Sequence, residues 1–285
     1  MVFESKMTLN HQYGDEYLNI PGQSQSSNVD LCELALRQIQ MHPGARTFKF
    51  YHRRQAFWIK QPQKNHRKIW HLLGAIAAPL SRNPLLKPTI ETGGPEALKA
   101  EAKRLKKFAA LGISVPRIIA EGEDWIMLND IGRPLNDWIR DPEVSRETKR
   151  TIVKQASEEL ASLHKKGLWH GRPAFRDMAY DGRTFGFLDF EEDPIGVLTP
   201  AQCMMRDALL YFHCLHRYLA NDSALIQEAM ESYRQLAPDS IWQNALLFCK
   251  QIRLIYGLLV LTQRYLGKDA KYAYQTLKTL RNYDH

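Results

Sequence analysis

The 285-residue chain has little sulphur chemistry on offer. Its four cysteines, Cys32, Cys203, Cys214 and Cys249, are far apart, and three of them fall in apolar helical patterns. No CxxC pair exists, which argues against a disulfide framework or a thiolate zinc ribbon and predicts reduced thiols in a cytoplasmic protein. Long apolar runs are also lacking. No stretch of 18 residues is free of charge, so no spanning helix is expected. The first residues carry no apolar segment flanked by cations, so secretion is not expected either. Internal repeats and low-complexity arrays are missing, which excludes a solenoid or a fibrous chain.

What the chain has is ordinary globular material: 44% hydrophobic and 25% charged residues. It also carries a formal charge of +8. That balance favours an anionic partner: phosphates, acidic lipid or nucleic acid. No aromatic-rich RNA-binding signature accompanies the charge, so nucleic acid is the least supported of the three.

Residues 1–28 mix Asn, Gln, Ser and Gly with little apolar spacing and read as a flexible tail. A short helix is expected over Leu31–Met41, capped from Asn28 or Asp30 and ended by Pro43-Gly44. Arg46–Tyr51 and Gln55–Lys60 alternate like two strands around His52-Arg53-Arg54. Lys60 ends the apolar triplet Phe57-Trp58-Ile59. The segment from Pro95 to Phe108 is helical and cation-rich, with Glu101 among its few acids; its plain reading is an intrahelical pair worth ~0.2–0.5 kcal/mol. Between these lies a basic segment, residues 65–90, in which Ile69, Leu72, Leu73, Ile76 and Leu80 share one stripe beside Arg67, Lys68, Arg82 and Lys87. It is suited to an anionic membrane surface, or to packing as an ordinary amphipathic helix.

Strands are expected at Pro116–Ala120 and Trp125–Leu128, followed by a break at Asn129–Pro134 and a helix from Leu135. Ser145–Lys165 is a long amphipathic helix stopped by Gly167. Then comes Leu168–Asp193, a loop and hairpin with a Tyr180-Asp-Gly-Arg183 turn signal. The hairpin is expected to bring Asp177 and Asp189 to one edge, where two carboxylates suit a hard divalent cation. Beyond Pro200 the pattern is helical: 200 onward with Arg206 and Asp207, Ser223–Leu236, Ile241–Tyr265 and Lys268–Leu280. His213, Cys214 and His216 have the elements of a zinc site, but packing explains them better and no fourth ligand is near.

The run His170-Gly171-Arg172, with Asp177 five residues on and Asp189-Phe190-Glu191 on the next strand, resembles the catalytic core of the protein-kinase-like superfamily. The nearest likeness is to its bacterial lipopolysaccharide-kinase and aminoglycoside-phosphotransferase branches. The resemblance covers nearly the whole chain after residue 45. It implies an α+β bilobal fold: an N-lobe over 29–128 with a small antiparallel sheet and one key helix, and a mainly helical C-lobe over 129–285. It implies Lys60 on the nucleotide phosphates, Glu101 orienting Lys60, Asn129 and Ile131 at an adenine-binding hinge, and Asp177 and Asp189 as metal ligands. ATP and Mg²⁺ are the implied cofactors. The implied acceptor is a small molecule, a lipid or a lipopolysaccharide component at the inner face of the membrane.

Two departures stand out. No Gly lies between Gly44 and Lys60, so the Gly-rich phosphate loop of the family is missing. Arg172 stands where the family has its catalytic Asp. Arg172 then either neutralises charge in the reaction or pairs with Asp177 or Asp189, and the second outcome describes a pseudokinase scaffold. Asp207 is expected either to anchor the catalytic loop or to form a surface ion pair with Arg206 or Arg217.

Overall fold

The structure is a computed structural model and describes residues 26–62, 93–262, 265 and 267–283. The polar start of the chain and the basic 65–90 segment lie outside the described residues. The class is α+β. The chain forms two compact units, the first ending at Ile131 and the second beginning its described part at Gly132.

The first unit is built on a four-stranded antiparallel sheet in the order β1-β2-β4-β3. Its strands are β1 (Thr47–His52), β2 (Gln55–Lys60), β3 (Ile118–Glu121) and β4 (Ile126–Asn129). Alternation of Phe48 and Phe50 with Lys49 and Tyr51 puts the two Phe rings inside and the others out. The β1–β2 turn is a two-residue loop closed by His52 opposite Gln55. Its residues, Arg53 and Arg54, both take positive φ (48° and 66°). Tight hairpins need that backbone, usually from Asn-Gly, so the arginine pair holds it at a conformational cost.

Helix α1 (Ser26–Met41) begins earlier than its cap signals foretell. It buries Leu31 and Ala35 in one cluster with Phe48, Phe50, Phe57, Ile59, Trp125 and Met127. Helix α2 (Pro95–Ala110) buries Leu98, Glu101, Ala102, Leu105 and Phe108, a stripe with helical period. Pro95 suits its first turn because the amide it lacks has no intrahelical acceptor there.

The second unit opens with β5 (Arg133–Pro134) and α3 (Leu135–Arg140). β5 pairs with β6 (Met178–Tyr180), and β6 with β7 (Phe185–Phe187), in a small antiparallel sheet. Helix α4 (Arg146–Lys165) is capped by Ser145, whose Oγ accepts from Thr148 N at 3.0 Å. Gly167, at φ 71°, turns the chain out of it. Helix α5 (Pro200–Tyr218) starts from a reciprocal Thr199/Gln202 capping box.

The remaining helices are α6 (Ser223–Leu236), α7 (Asp239–Gln251), α8 (Arg253–Thr262) and α9 (Lys268–Asn282). The single helix expected over 241–265 is therefore two. The break comes at Ile252, which is turned inward and buried, and Gly257 sits inside α8. Aromatic edges knit this unit: Phe212 meets Tyr233 and Trp242 edge-on, and Phe175 stacks on Tyr218. Among the described residues no helix is long and apolar enough to cross a membrane.

Candidate functional site

In the first unit a charged pair sits where apolar packing is the rule. Lys60 is the last residue of β2, and its partners in the sheet are Thr47 on one side and Ile126 on the other. Glu101 lies on the buried stripe of α2. The ammonium of Lys60 meets both carboxylate oxygens of Glu101, at 2.8 Å (Oε1) and 2.7 Å (Oε2). Their side chains are 8% and 1% exposed. The intrahelical lysine pair of this helix belongs to Glu96, which meets Lys99 in solvent at 3.3 Å. A buried ion pair is weak evidence for stability, since desolvating both charges costs about what their attraction returns. Its presence asks for another reason.

Asn129 and Ile131 follow at the end of this unit. Asn129 is tied to Arg117 twice: its backbone N–H donates to Arg117 O (3.2 Å), and its Oδ1 accepts from Arg117 N–H (2.6 Å). Ile131 lies beyond the strand and is half-buried. Between them stands Asp130, which the sequence reading passed over. Its carboxylate accepts from Trp58 Nε1 at 2.7 Å and from Lys49 Nζ at 3.1 Å. A signal existed, because a half-buried Trp must find an acceptor for its N–H.

The second unit holds the acidic hairpin. Asp207, fully buried on α5, accepts backbone N–H bonds from His170 (2.5 Å) and Gly171 (2.9 Å). It anchors the loop and is not a surface ion pair. Arg217 instead meets Asp269 at 3.5 Å, and Arg206 binds Glu192 and the carbonyl of Gly171. The backbone of Gly171 has φ 104°, and a Cβ there would collide with Glu192 O. No other residue type fits that crossing without displacing the chain. His170 donates from Nε2 to Leu188 O (2.8 Å) and accepts Arg172 N–H at Nδ1 (3.2 Å), a tautomer assigned from those partners. Its ring stacks on Phe190 at 4.6 Å.

Around this frame the carboxylates gather. The backbone of Leu188 donates to Asp177 O (2.8 Å), placing β7's exit beside Asp177. Asp189 follows with φ 61°, a strained backbone of the kind that collects at functional positions. Asp177 is 3% exposed and its Oδ2 accepts no hydrogen bond among the described residues. Burial first, and then the negative charge of Asp189, push its carboxyl up to about 7; Arg172 and Arg176 oppose that shift.

Arg172 lies among these groups. Its guanidinium is 3.7 Å from Asp177 Oδ2, 3.1 Å from Asp189 Oδ2 and 3.9 Å from Glu192 Oε2. Arg176 meets the other Asp177 oxygen at 3.4 Å. Glu192, absent from the sequence reading, thus belongs to the cluster; Glu-Glu-Asp after the strand gave no clue to which acid turns inward.

The donor set fits a hard divalent ion. It offers carboxylate oxygens alone, one of them, Asp177 Oδ2, buried without a hydrogen bond among the described residues. His213, Cys214 and His216 serve packing. His213 sits edge-on to Tyr272, His216 is 3.2 Å from Thr279 Oγ1, and burial pushes the Cys214 thiol up to about 11.

No protein-family model matches the chain. A relative does. An uncharacterized protein of Haemophilus influenzae is 28% identical over 233 residues, spanning 82% of this chain and 88% of its own. Among solved structures, the crystal structure of an aminoglycoside phosphotransferase with ADP bound aligns over 86% of this chain and 97% of its own. The TM-score is 0.35 at 13% identity, too low to assign a fold or a function.

Proposed function

We propose that the protein is a nucleotide-dependent phosphotransferase of the protein-kinase-like fold, related to its lipopolysaccharide-kinase and aminoglycoside-phosphotransferase branches. The observation that carries this reading is the buried Lys60–Glu101 pair. A pair that returns little stability is retained where an ammonium must be held at a fixed point, and phosphate oxygens are its natural ligand. Lys60, oriented by Glu101, contacts the phosphates. Asn129 and Ile131 border the base. Asp177 and Asp189 hold Mg²⁺, which supplies charge neutralisation at the transferred phosphoryl group when bound.

Asp207 fixes the loop bearing these groups through its bonds to His170 and Gly171. With Arg172 at the family's base position, Asp177 takes the proton of the acceptor hydroxyl. A base contributes typically ~10²–10⁴-fold, so transfer without the usual one is slowed and not forbidden. The acceptor we favour is a hydroxyl compound of the cell envelope, lipid or small molecule; the net charge of +8 supports an anionic one.

The contact of Arg172 with both Asp177 and Asp189 favours a second reading, a nucleotide-binding scaffold without transfer. One experiment separates them. Thermal stability is followed with ATP and Mg²⁺ for the wild type, Lys60→Met and Asp189→Ala, and label from γ-labelled ATP is sought in extracted envelope fractions. Binding with label uptake supports the transferase. Binding without uptake supports the scaffold, and a wild type indifferent to ATP ends both.

A further inference from the structure

The carboxylates of the hairpin face a cation that belongs to the chain. Arg172 reaches Asp189 within hydrogen-bond distance and Asp177 and Glu192 at ion-pair distance. Glu192 and the remaining oxygen of Asp177 have further cations of their own in Arg206 and Arg176. Arg172 is thus a single positive charge that Asp177 and Asp189 share. A divalent ion held by the same two carboxylates would lie within a few ångströms of that guanidinium. Two cations at such a separation repel each other. The Arg172 side chain is 27% exposed, so part of it already reaches solvent, while its Nε is buried.

We propose that Arg172 is a guard cation: it holds Asp177 and Asp189 until a nucleotide arrives, then moves onto the phosphate oxygens and frees both carboxylates for the metal. The idea rests on the phosphotransferase reading above and adds an order to it. Arginine suits both stations, since its fork binds carboxylate and phosphate alike. Metal alone meets an occupied site. Metal-free nucleotide meets a cation ready to receive its phosphates. The consequence is two effects of opposite sign from one substitution. Removing the guanidinium strengthens binding of a divalent ion alone and weakens binding of nucleotide alone.

The test uses the full chain with Mn²⁺ as the ion, read by electron paramagnetic resonance, and ADP in EDTA, read by calorimetry. Arg172→Gln is expected to bind Mn²⁺ alone roughly 5–150-fold more tightly than the wild type, the usual span of coupling between sites. The same variant is expected to bind metal-free ADP more weakly by a factor in that range. Arg172→Met, which keeps the aliphatic stem, repeats both measurements should the glutamine variant fold poorly; circular dichroism monitors both. Arg172→Lys keeps the charge and is expected to leave Mn²⁺ binding as weak as in the wild type.

If wild type and neutral variants bind Mn²⁺ alone with equal strength, the guard role is overturned and the phosphotransferase reading stands. If the neutral variants bind Mn²⁺ more tightly but hold metal-free ADP as well as the wild type, Arg172 only blocks the metal, and the transfer to phosphate is overturned. If none of the proteins binds Mn²⁺ or ADP under any condition, the phosphotransferase reading itself falls.

Discussion

Removing the ammonium of Lys60 by Lys60→Met leaves the Glu101 carboxylate 1% exposed and facing a thioether. At 2.7–2.8 Å the lost attraction is roughly 6 kcal/mol at an effective dielectric of 20. Desolvation of the two ions, several kcal/mol each, opposes it in the intact pair. The single variant keeps one desolvation cost without the attraction, so a loss of about 3–5 kcal/mol is expected. Glu101→Leu strands the lysine instead and costs somewhat less, because a long stem lets the charge turn toward water. Lys60→Met/Glu101→Leu removes both charges and fills both places with apolar atoms. It is expected to fall within about 2 kcal/mol of the wild type. Urea denaturation of the four proteins gives these values, and ADP calorimetry on the same samples gives the functional side. Stability should return in the double variant while nucleotide affinity stays lost. Additive losses, with the double variant destabilised by the sum of the singles, would refute the reasoning: Lys60 and Glu101 would then act independently. Recovery of ADP binding in the double variant would refute the role given to Lys60.

Three further outcomes follow from the described contacts. Asp207→Asn keeps one oxygen acceptor but puts an NH₂ group against the other backbone N–H; a loss of about 1.5–3 kcal/mol in denaturant unfolding is expected, that of one charge-assisted bond. Gly171→Ala meets both a positive φ and the carbonyl of Glu192, so it should lower the melting temperature, whereas Gly182→Ala, with open space around it, should lower it less. His216 is buried, and that burial brings its pKa down to about 4 from an ordinary 6.5. Between those values the unfolded chain binds a proton that the folded chain refuses. The contribution of His216 to stability is therefore lost as pH drops from 6.5 toward 4, by up to about 3 kcal/mol, against the opposite contribution of Asp177, whose raised carboxyl gains a proton in the folded state over the same range. His216→Gln should flatten that limb of a stability-versus-pH curve; an unchanged limb would place the acid sensitivity elsewhere.

Patterns with a short period were legible before any coordinates. The alternation from Phe48 to Ile59 gave a hairpin, and the helical stripe from Ile152 to Leu163 gave α4. Helix α6 takes the expected bounds; Asp222 caps its start, and Ala237 in extended backbone before Pro238 ends it. Where burial at a distance overrides the local signal, the reading drifted. Ser26–Asn28 continue α1 beyond the expected cap, and Ile252 splits one expected helix by turning inward. Lys60 and Glu101, 41 positions apart, were paired by family likeness, since neither residue's neighbours announce the other.

By itself the sequence determined which segments are strands and helices, and which side chains carry charge into them, because those depend on neighbours within a few positions. Only the tertiary structure decided what the charges meet. It gave Asp207 to the amides of His170 and Gly171, Asp130 to Trp58, Glu192 to Arg206, and Arg172 to Asp177 and Asp189. The physical reason is desolvation. A charge taken out of water must find a partner wherever the folded chain offers one, and that place is set by packing across many residues, which no local pattern records.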